Sequence, residues 1–386
     1  MSSPATQPGL ARPPAKAAGP VVLSLLLGLS LSPVRAGSGL VAVKAGHIET
    51  LTGEPIEGGT VLISDGRILA IGSDVQVPPG AELIDLPNAR VFPGLVDPFS
   101  QIGVAESPGG QGAGAHIRVA DALYPFQEAY EHVARAGYTT LNLASRAWGI
   151  AGQPALVRSR GASVEEMLLS DRGPLVVNFR VDAPTPDTVK SALDKGGDDD
   201  KLAAVKWAVQ GDVPLMVTCR SAGEVLRVLK LLEPYKQAKP VLVCFGSDLY
   251  LVAEELGKRK ASVVVPAGIT FRRFTRIRVN IPRMLADAGA TVACVPTSDS
   301  TAGLAGMRAA MAELVKSGLD RDTAVKALTA NAAKMLGLDY RLGTLDVGRD
   351  ANLLILDGDL LDPKANVLRV LIEGKTVYDA AWGGLR

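Results

Sequence analysis

Histidine is scarce in this sequence. The chain has 386 residues but only three histidines, at positions 47, 116 and 132. A reaction that depends on four imidazole groups is therefore excluded at the outset. Aromatic residues make up 4% of the chain, against 47% for all hydrophobic residues, so the predicted core is built from aliphatic side chains.

Cysteine is equally rare. The three cysteines, Cys219, Cys244 and Cys294, each lie in an apolar run, where a buried free thiol is expected. An odd number argues against a disulfide framework. One bonded pair beside a free thiol stays open for an oxidising compartment.

The sequence also has almost no net charge. Its 41 Lys and Arg residues nearly cancel 40 Asp and Glu residues, which leaves +1. Without a broad basic field, the chain is not expected to bind nucleic acid or an anionic membrane. Its 41 glycines and 25 prolines predict many turns between short elements. The length suits an α/β barrel of roughly 250 residues with a smaller second domain.

The first 36 residues have the pattern of a secretory signal peptide. Arg12 and Lys16 precede an apolar run over residues 21–34, and Val34-Arg35-Ala36 resembles a cleavage site. The run is shorter than the roughly 20 residues of a membrane-spanning helix, so we favour export over an uncleaved anchor. The expected location is periplasmic or extracellular, without membrane contact after cleavage.

Both ends of the remaining chain, residues 38–92 and 343–386, are rich in short β-type runs separated by glycine turns. Asp65-Gly66 predicts a hairpin in the first of these segments. Gly374-Lys375 predicts a tight turn within residues 367–378 of the second. Neither segment has enough strands to bury a hydrophobic face alone, so we expect the two to share one sheet.

Residues 93–342 instead alternate strand and helix patterns, which predicts buried parallel strands joined by helices. The strand runs are TTLNLAS, LVVNF, PLMVTC, PVLVCF, SVVVP and TVACVP. The helical stretches include SAGEVLRVLKLLEPY, DLYLVAEELGKRK and RDTAVKALTANAAKMLG. Repeats of this kind close a barrel or build a doubly wound sheet. The glycine run at 109–114 opens no amphipathic helix of the dinucleotide-binding kind, so we interpret it as a flexible loop.

Four stretches resemble the amidohydrolase superfamily, specifically its exported, imidazolonepropionase-like branch. They are GTVLISDGRI at 59–68, VFPGLVD at 91–97, ALTANAAKMLGL at 327–338 and GTLDVGRDANL at 343–353. The resemblance implies a TIM-like (β/α)8 barrel with a small β-sandwich domain built from both chain ends. It also implies hydrolysis of amide or cyclic amide C–N bonds, with zinc expected in active relatives.

The histidines that bind metal in such proteins are absent at the matching positions. Their first barrel strand ends Asp-x-His-x-His, and here Phe99 and Gln101 follow Asp97 at that spacing. The histidines of the fifth strand match Thr218 and Arg220.

Two further positions complete the comparison. The sixth-strand histidine falls within a residue or two of Cys244, and only Asp299 matches a family residue, the catalytic aspartate of the eighth strand. A single carboxylate does not hold a catalytic zinc, which takes about three protein ligands. The sequence therefore predicts a catalytically degenerate protein without metal or other cofactor, whose pocket at the barrel mouth still binds a small-molecule ligand.

We expect Gln101, Thr218 and Arg220 to line this pocket and Asp299 to mark the former catalytic position. Two alternatives stay open. An active C–N hydrolase could use Asp299 with a metal site rebuilt around Cys244, or with Arg220 in place of the metal. An interaction subunit would instead join a second copy of the chain or an active relative.

Other charged residues are weaker candidates. Four arginines, at 272, 273, 276 and 278, could hold an anion near the mouth, but their irregular spacing favours a solvated loop. Of the histidines, only His116, in the glycine-rich loop, is a candidate to reach the mouth. We expect His47 in a surface turn and His132 on a helix.

Overall fold

The structure is a computed structural model that describes residues 39–104, 112–170, 172–180, 185–195 and 200–382. The signal peptide predicted over residues 1–36 lies outside this part of the chain, as do residues 109–111 of the glycine run at 109–114. None of the described helices is both long and apolar enough to cross a membrane.

Twenty strands and eleven α-helices are described, in an α/β arrangement. The strands are β1 (Val41–Ile48), β2 (Ile56–Ser64), β3 (Arg67–Gly72), β4 (Glu82–Pro93), β5 (Leu95–Ser100), β6 (Gly112–Ala113), β7 (Tyr138–Leu143), β8 (Gly149–Gly152), β9 (Ala155–Arg158), β10 (Leu168–Ser170), β11 (Leu175–Asn178), β12 (Leu215–Cys219), β13 (Pro240–Cys244), β14 (Ser262–Pro266), β15 (Thr270–Phe271), β16 (Arg278–Val279), β17 (Thr291–Val295), β18 (Leu353–Leu356), β19 (Val367–Ile372) and β20 (Lys375–Asp379). The helices are α1 (Glu128–Arg135), α2 (Val164–Met167), α3 (Thr185–Lys195), α4 (Ala203–Gln210), α5 (Ala222–Leu232), α6 (Ala253–Lys258), α7 (Ile281–Asp287), α8 (Thr301–Ala305), α9 (Met307–Lys316), α10 (Arg321–Leu328) and α11 (Ala330–Met335).

Both chain ends contribute to one seven-stranded sheet, in the order β20-β19-β18-β4-β1-β2-β3. The long strand β4 joins the two halves, since it pairs in parallel with β1 and antiparallel with β18. The prediction that the two ends share a sheet is confirmed, while their arrangement as a two-layered sandwich stays a prediction.

Two tight turns in this sheet depend on left-handed backbone conformations. Asp65 and Gly66, with φ values of 50° and 77°, connect β2 to β3 as predicted. The turn between β19 and β20 is formed by Glu373 and Gly374, with φ values of 47° and 74°. The prediction of Gly374-Lys375 was wrong by one residue, because this turn type needs a positive φ at both central positions and Gly374 occupies the second.

The middle of the chain forms two larger sheets and a small hairpin. One sheet has the order β10-β9-β7-β5, and the other has the order β17-β14-β13-β12-β11-β8-β6. Strands β11, β12, β13, β14 and β17 pair in parallel, as do β5 and β7, so the predicted parallel strands are confirmed. Strands β8, β9 and β10 interrupt the strand–helix alternation, which the sequence pattern did not indicate.

The predicted closed eight-stranded barrel is not observed. Among the described residues, no ladder of backbone hydrogen bonds joins β17 to β5. Within the same residues, none joins the four-stranded sheet to the seven-stranded sheet that runs from β17 to β6. The outermost strands β5 and β17 nevertheless approach each other through the side chain of Asp299, as described below.

The parallel strands bury both faces, with residues alternating between two hydrophobic clusters. We call one side the inner face; its members are Val176, Met216, Val241, Val243, Val264 and Ala293. The outer face packs against the helices; its strand members are Val177, Val217, Leu242, Val263 and Cys294, and its helix members include Val225, Leu256 and Leu285. This alternation determines which side chains meet at the ends of the strands.

Two predicted helices differ from those observed. The stretch RDTAVKALTANAAKMLG forms α10 and α11, which separate at Thr329 with φ −135° and ψ −93°. Thr329 donates its side-chain hydroxyl to the carbonyl of Val325 at 2.8 Å. Aliphatic residues are buried on both sides of this break, so the apolar spacing continues through it. In DLYLVAEELGKRK, only residues 253–258 are α-helical.

Candidate functional site

The carboxyl ends of β5, β11, β12 and β13, together with the segment after β17, bring the predicted site residues into one region. We call this region the strand-end site. It contains Gln101, Thr218 and Arg220, which the sequence predicts to line a pocket, and Asp299, which it predicts at the former catalytic position. The residues that hold them are described strand by strand.

At the end of β5, two irregularities in the pairing with β7 decide where each side chain points. Phe99 belongs to the inner-face cluster and is only 7% exposed. Asp97 pairs across the ladder with Leu141, an outer-face residue, so it does not share the face of Phe99. Asp97 accepts a hydrogen bond from the Phe99 N–H at 3.1 Å.

The carboxyl group of Asp97 is fully buried, and one of its oxygens, Oδ2, has no hydrogen-bond partner among the described groups. Desolvation raises its pKa from 3.8 to about 7, and the nearby charge of Asp299 adds to this increase. The Phe99 N–H and the Ser100 hydroxyl oppose the increase. Asp97 is thus a group whose charge changes near neutral pH.

Asp299 connects the segment after β17 to the end of β5. Its carboxylate accepts a hydrogen bond from the Ser100 hydroxyl at 3.0 Å and another from the backbone N–H of Gln101 at 2.7 Å. Desolvation raises the pKa of Asp299, while the two hydrogen bonds and the positive charge of Arg146 lower it. Both carboxylate oxygens are therefore engaged in holding the end of β5.

Thr218 and Asn178 face each other across neighbouring strands, because β11 and β12 pair in register at these residues. The Thr218 hydroxyl donates to Asn178 Oδ1 at 3.3 Å. The Asn178 amide donates in turn to the carbonyl of Ser145 at 3.2 Å and that of Ala147 at 2.5 Å. Asn178 therefore holds the segment that leads into Trp148.

Arg220 extends from the end of β12 over an aromatic ring. Its guanidinium carbon lies 4.5 Å from the ring centroid of Trp148, and that of Arg180 lies 4.8 Å from the same centroid. The backbone N–H of Arg220 donates to the Glu224 carboxylate at 2.6 Å, while Glu224 donates its own N–H to Ser221 Oγ at 3.2 Å. Ser221 is the N-cap residue of α5. The same Glu224 that donates to this cap also holds the backbone of Arg220 next to the start of the helix.

Cys244 lies on the outer face, whereas the next residue, Phe245, is directed to the strand-end site. The Phe245 ring packs edge-to-face on Phe99, with centroids 6.0 Å apart and an interplanar angle of 60°. The residue near the predicted sixth-strand histidine position that reaches the strand-end site is therefore the aromatic Phe245. The Cys244 thiol is buried beside Cys219, its register partner on β12, and both the contact and the burial raise its pKa.

The three histidines are spread over the structure. His47 lies in β1 and bonds Glu57 at 2.7 Å, so the expected surface turn was wrong for this residue. His116 is exposed in a turn after β6, and His132 lies on α1 beside Glu128, on a helix as predicted. In the described part of the chain, no three His, Cys, Asp or Glu side chains are grouped so that they could hold a metal ion.

The arginine cluster after β14 lies on the exposed hairpin β15–β16. Two of its members pair with carboxylates, Arg273 with Asp248 at 3.7 Å and Arg278 with Glu313 at 2.5 Å. This arrangement agrees with the interpretation of the cluster as a solvated loop.

A cavity of about 830 Å³ lies away from the strand-end site, between the segment around α2 and the β19–β20 hairpin. Charges of both signs line it, and its Arg158 and Glu373 form an ion pair. We assign no ligand to this cavity, because its two arginines already pair with carboxylates, Arg158 with Glu373 and Arg160 with Glu131.

Sequence reasoning missed four residues of the strand-end site: Trp148, Asn178, Arg180 and Phe245. A usable signal exists for two of them. Asn178 and Arg180 repeat, on β11, the two-residue spacing of Thr218 and Arg220 on β12. No comparable signal marks Trp148, since it reaches the site through an irregular segment.

Comparisons with known proteins agree with this architecture. Residues 203–378 match the amidohydrolase family. A segment of 174 residues is 28% identical to the imidazolonepropionase of Mesorhizobium japonicum; it covers 43% of this chain and 37% of that protein's length.

Solved structures share the fold. The structure matches an amidohydrolase from Thermotoga maritima with a TM-score of 0.77, at 23% identity, over 88% of this chain and all (100%) of that one. It matches a prolidase complexed with N-methylphosphonate-L-proline with a TM-score of 0.60, at 15% identity, over 88% of this chain and 100% of that one. The family match covers residues 203–378, less than half of the chain, and the solved structures share its α/β fold.

Proposed function

We propose that this protein binds a small-molecule ligand at the strand-end site and does not hydrolyse it by metal chemistry. The observation that carries the proposal is the burial of Phe99 against Phe245, at the position that matches a metal-binding histidine. An aromatic pair offers a ligand an apolar surface but offers a cation beside water no lone pair.

The donor groups at the site do not fit zinc. Thr218 offers a hydroxyl that already donates to Asn178, and Gln101 offers a neutral amide. The guanidinium group of Arg220 lies over Trp148 in the same region and would repel a divalent cation. Cys244, the one soft donor considered for a rebuilt site, lies on the other face of its strand.

Metal content and amide hydrolysis, measured on the same tag-free protein, test this proposal. We expect far less than one zinc per chain after dialysis against zinc and gel filtration, and no hydrolysis of N-acyl amino acids. Zinc retained near one per chain, together with hydrolysis that Asp299→Asn abolishes, would overturn it.

An active hydrolase is a second candidate, favoured by one observation. Asp299 lies at the carboxyl end of the strands with a raised pKa, as a proton-transferring group should. Hydrolysis would also need stabilisation of the oxyanion, for which Arg220 is the available cation. Hydrolysis by a protein shown to lack metal, lost in both Asp299→Asn and Arg220→Gln, would establish this candidate instead.

A further inference from the structure

The hairpin of β15 and β16 carries large apolar side chains that nothing in the described structure covers. Residues 271–278 are all exposed. Among them, Phe274 is fully exposed, and Phe271 and Ile277 are 55% and 56% exposed. Single exposed hydrophobic residues are normal on a protein surface, but three in one short turn form a candidate contact surface. We call residues 271–277 the hairpin tip.

Phe274 occupies an unfavourable backbone conformation within a well-bonded turn. Its φ of 60° lies in the left-handed region, which a bulky side chain adopts rarely and at a cost. The Thr275 hydroxyl holds the turn, because it donates to the Arg272 carbonyl at 2.9 Å and accepts from the Ile277 N–H at 3.2 Å. The Arg272 N–H donates to the Ile277 carbonyl at 2.9 Å. Packing within the described chain does not explain an aromatic residue here, whereas a contact outside the chain does.

The hairpin is also strongly basic. No acidic residue occurs from residue 256 to residue 286. Two of the four hairpin arginines, Arg273 and Arg278, pair with carboxylates of neighbouring segments. The side chains of Arg272 and Arg276 have no ion pair or hydrogen bond among the described residues. These two guanidinium groups complement an anionic partner.

The apolar and basic groups extend on both faces of the hairpin. Phe271 and Arg278 are register partners across the two strands, so they share one face. Strand alternation directs Ile277, the neighbour of Arg278, to the opposite face. A protein surface covers one face of a hairpin, whereas a lipid surface surrounds an inserted tip on every side. Arginines beside the tip keep their charged groups at the headgroups while their stems lie on apolar material.

We propose that the hairpin tip docks on an anionic lipid surface. Phe271, Phe274 and Ile277 enter the boundary between headgroups and acyl chains, and Arg272 and Arg276 contact anionic headgroups. The sequence-based expectation of no membrane contact rested on the small net charge, which does not count the contribution of exposed apolar side chains.

Two other occupants fit the hairpin tip less well. A second copy of the chain, related by two-fold symmetry, would bring the same arginines against each other. A nucleic acid binds mainly through its phosphates, so it needs a basic surface wider than two unpaired arginines.

Co-sedimentation of the full chain with lipid vesicles tests the proposal. The vesicles contain phosphatidylcholine alone or with about one third phosphatidylglycerol, at roughly 0.1 M salt. The apolar run at residues 21–34 is present in every variant, so differences between variants report on the hairpin alone. We expect the wild type to bind the anionic vesicles more tightly than the neutral ones.

Phe274→Asn should weaken binding to the anionic vesicles at least about tenfold, because the variant loses the inserted ring. Asparagine adopts the left-handed region readily, so the variant should resist urea at least as well as the wild type. Weaker binding by a protein of equal or higher stability is not a consequence of misfolding.

The double variant Arg272→Gln with Arg276→Gln should also weaken binding at least about tenfold. Its matched control is Lys239→Gln with Lys260→Gln, which removes two exposed charges before the amino-terminal ends of β13 and β14. The control keeps the same net charge as the double variant, and it should change binding less than about twofold.

A tryptophan at the hairpin tip reports insertion directly. Phe274→Trp should retain binding, and vesicles of dibrominated lipid should quench its added emission relative to the wild type. Tyr340→Trp, at a position that is 71% exposed and lies outside the hairpin, should show no such quenching.

The proposal is overturned if the wild type does not bind the anionic vesicles, or if binding ignores the phosphatidylglycerol content or is the same in the hairpin variants. Self-association in analytical ultracentrifugation that Phe274→Asn abolishes, without vesicle binding, assigns the tip to a second copy of the chain instead. Hairpin-dependent binding of a single-stranded oligonucleotide, without vesicle binding, assigns it to nucleic acid instead.

Discussion

Asp299 accepts a hydrogen bond from the backbone N–H of Gln101 at 2.7 Å. Asp299, which the resemblance predicts at the catalytic aspartate position, thus joins the end of β5 to the segment after β17. No ladder joins β5 and β17 among the described residues. The resemblance assigns Asp299 to proton transfer, and in this structure its carboxylate also connects two segments of the chain.

This connection predicts a loss of stability in Asp299→Asn. The asparagine keeps one acceptor oxygen but cannot accept from both the Ser100 hydroxyl and the Gln101 N–H, so one donor loses its partner. We expect a decrease of about 1–2 kcal/mol in the free energy of unfolding, measured by urea denaturation. Asp287→Asn, at an exposed position on α7, is the matched control and should change stability little. Equal stability of the Asp299 variant and the wild type would contradict the connection.

The buried Asp97 predicts a specific dependence of stability on pH. Its pKa is raised from 3.8 to about 7 in the folded chain, so the unfolded chain loses this proton first as the pH rises. Folding stability should therefore fall as the pH rises from 3.8 to about 7, by roughly 4 kcal/mol for this group.

Asp97→Asn isolates that contribution, because asparagine has the same shape and no charge. Below the lower pKa, the variant and the wild type should have similar stability, and above the upper one the variant should be the more stable. Urea denaturation across this range measures the difference, which cancels the contributions of other carboxylates. A difference that does not change with pH would show that Asp97 titrates normally.

The Phe99–Phe245 pair makes a prediction about packing. Phe99 is 7% exposed and Phe245 is 47% exposed, so truncation should cost about 3 kcal/mol at Phe99 and about 1 kcal/mol at Phe245. The edge-to-face contact predicts a coupling of about 1 kcal/mol in a double-mutant cycle of Phe99→Ala and Phe245→Ala. Strictly additive effects would show that the rings do not interact.

The cysteines predict inert thiols in the folded protein. All three are free and buried, desolvation raises the pKa of Cys294 to about 12, and the neighbouring Cys219 contributes to raising that of Cys244. Because the thiolate is the reactive form, alkylation should be orders of magnitude slower in the native state than in urea. Mass spectrometry should count no modified thiol in native protein and three after unfolding. Rapid native labelling of any cysteine would contradict this burial.

Much of the fold follows from local patterns. The apolar runs from TTLNLAS to TVACVP form parallel strands, because a strand buried on both faces needs uninterrupted aliphatic residues. Asp65-Gly66 forms its hairpin because this pair adopts the left-handed conformation readily. The break at Thr329 and the inserted strands β8–β10 were not predicted, since the apolar spacing around them fits a helix or a strand equally well.

The composition of the candidate site was set by the sequence itself. The resemblance predicts that Phe99, Gln101, Thr218 and Arg220 stand where active relatives have metal-binding histidines, and this prediction needs only the sequence. What each of these residues contacts was decided only by tertiary structure. Irregular pairing with β7 directs Asp97 to the outer face, and strand alternation directs Phe245, rather than Cys244, to the site. Arg180 and Arg220, which follow β11 and β12, both contact the ring of Trp148. These contacts join residues far apart in the chain, and no local spacing encodes which of them will meet.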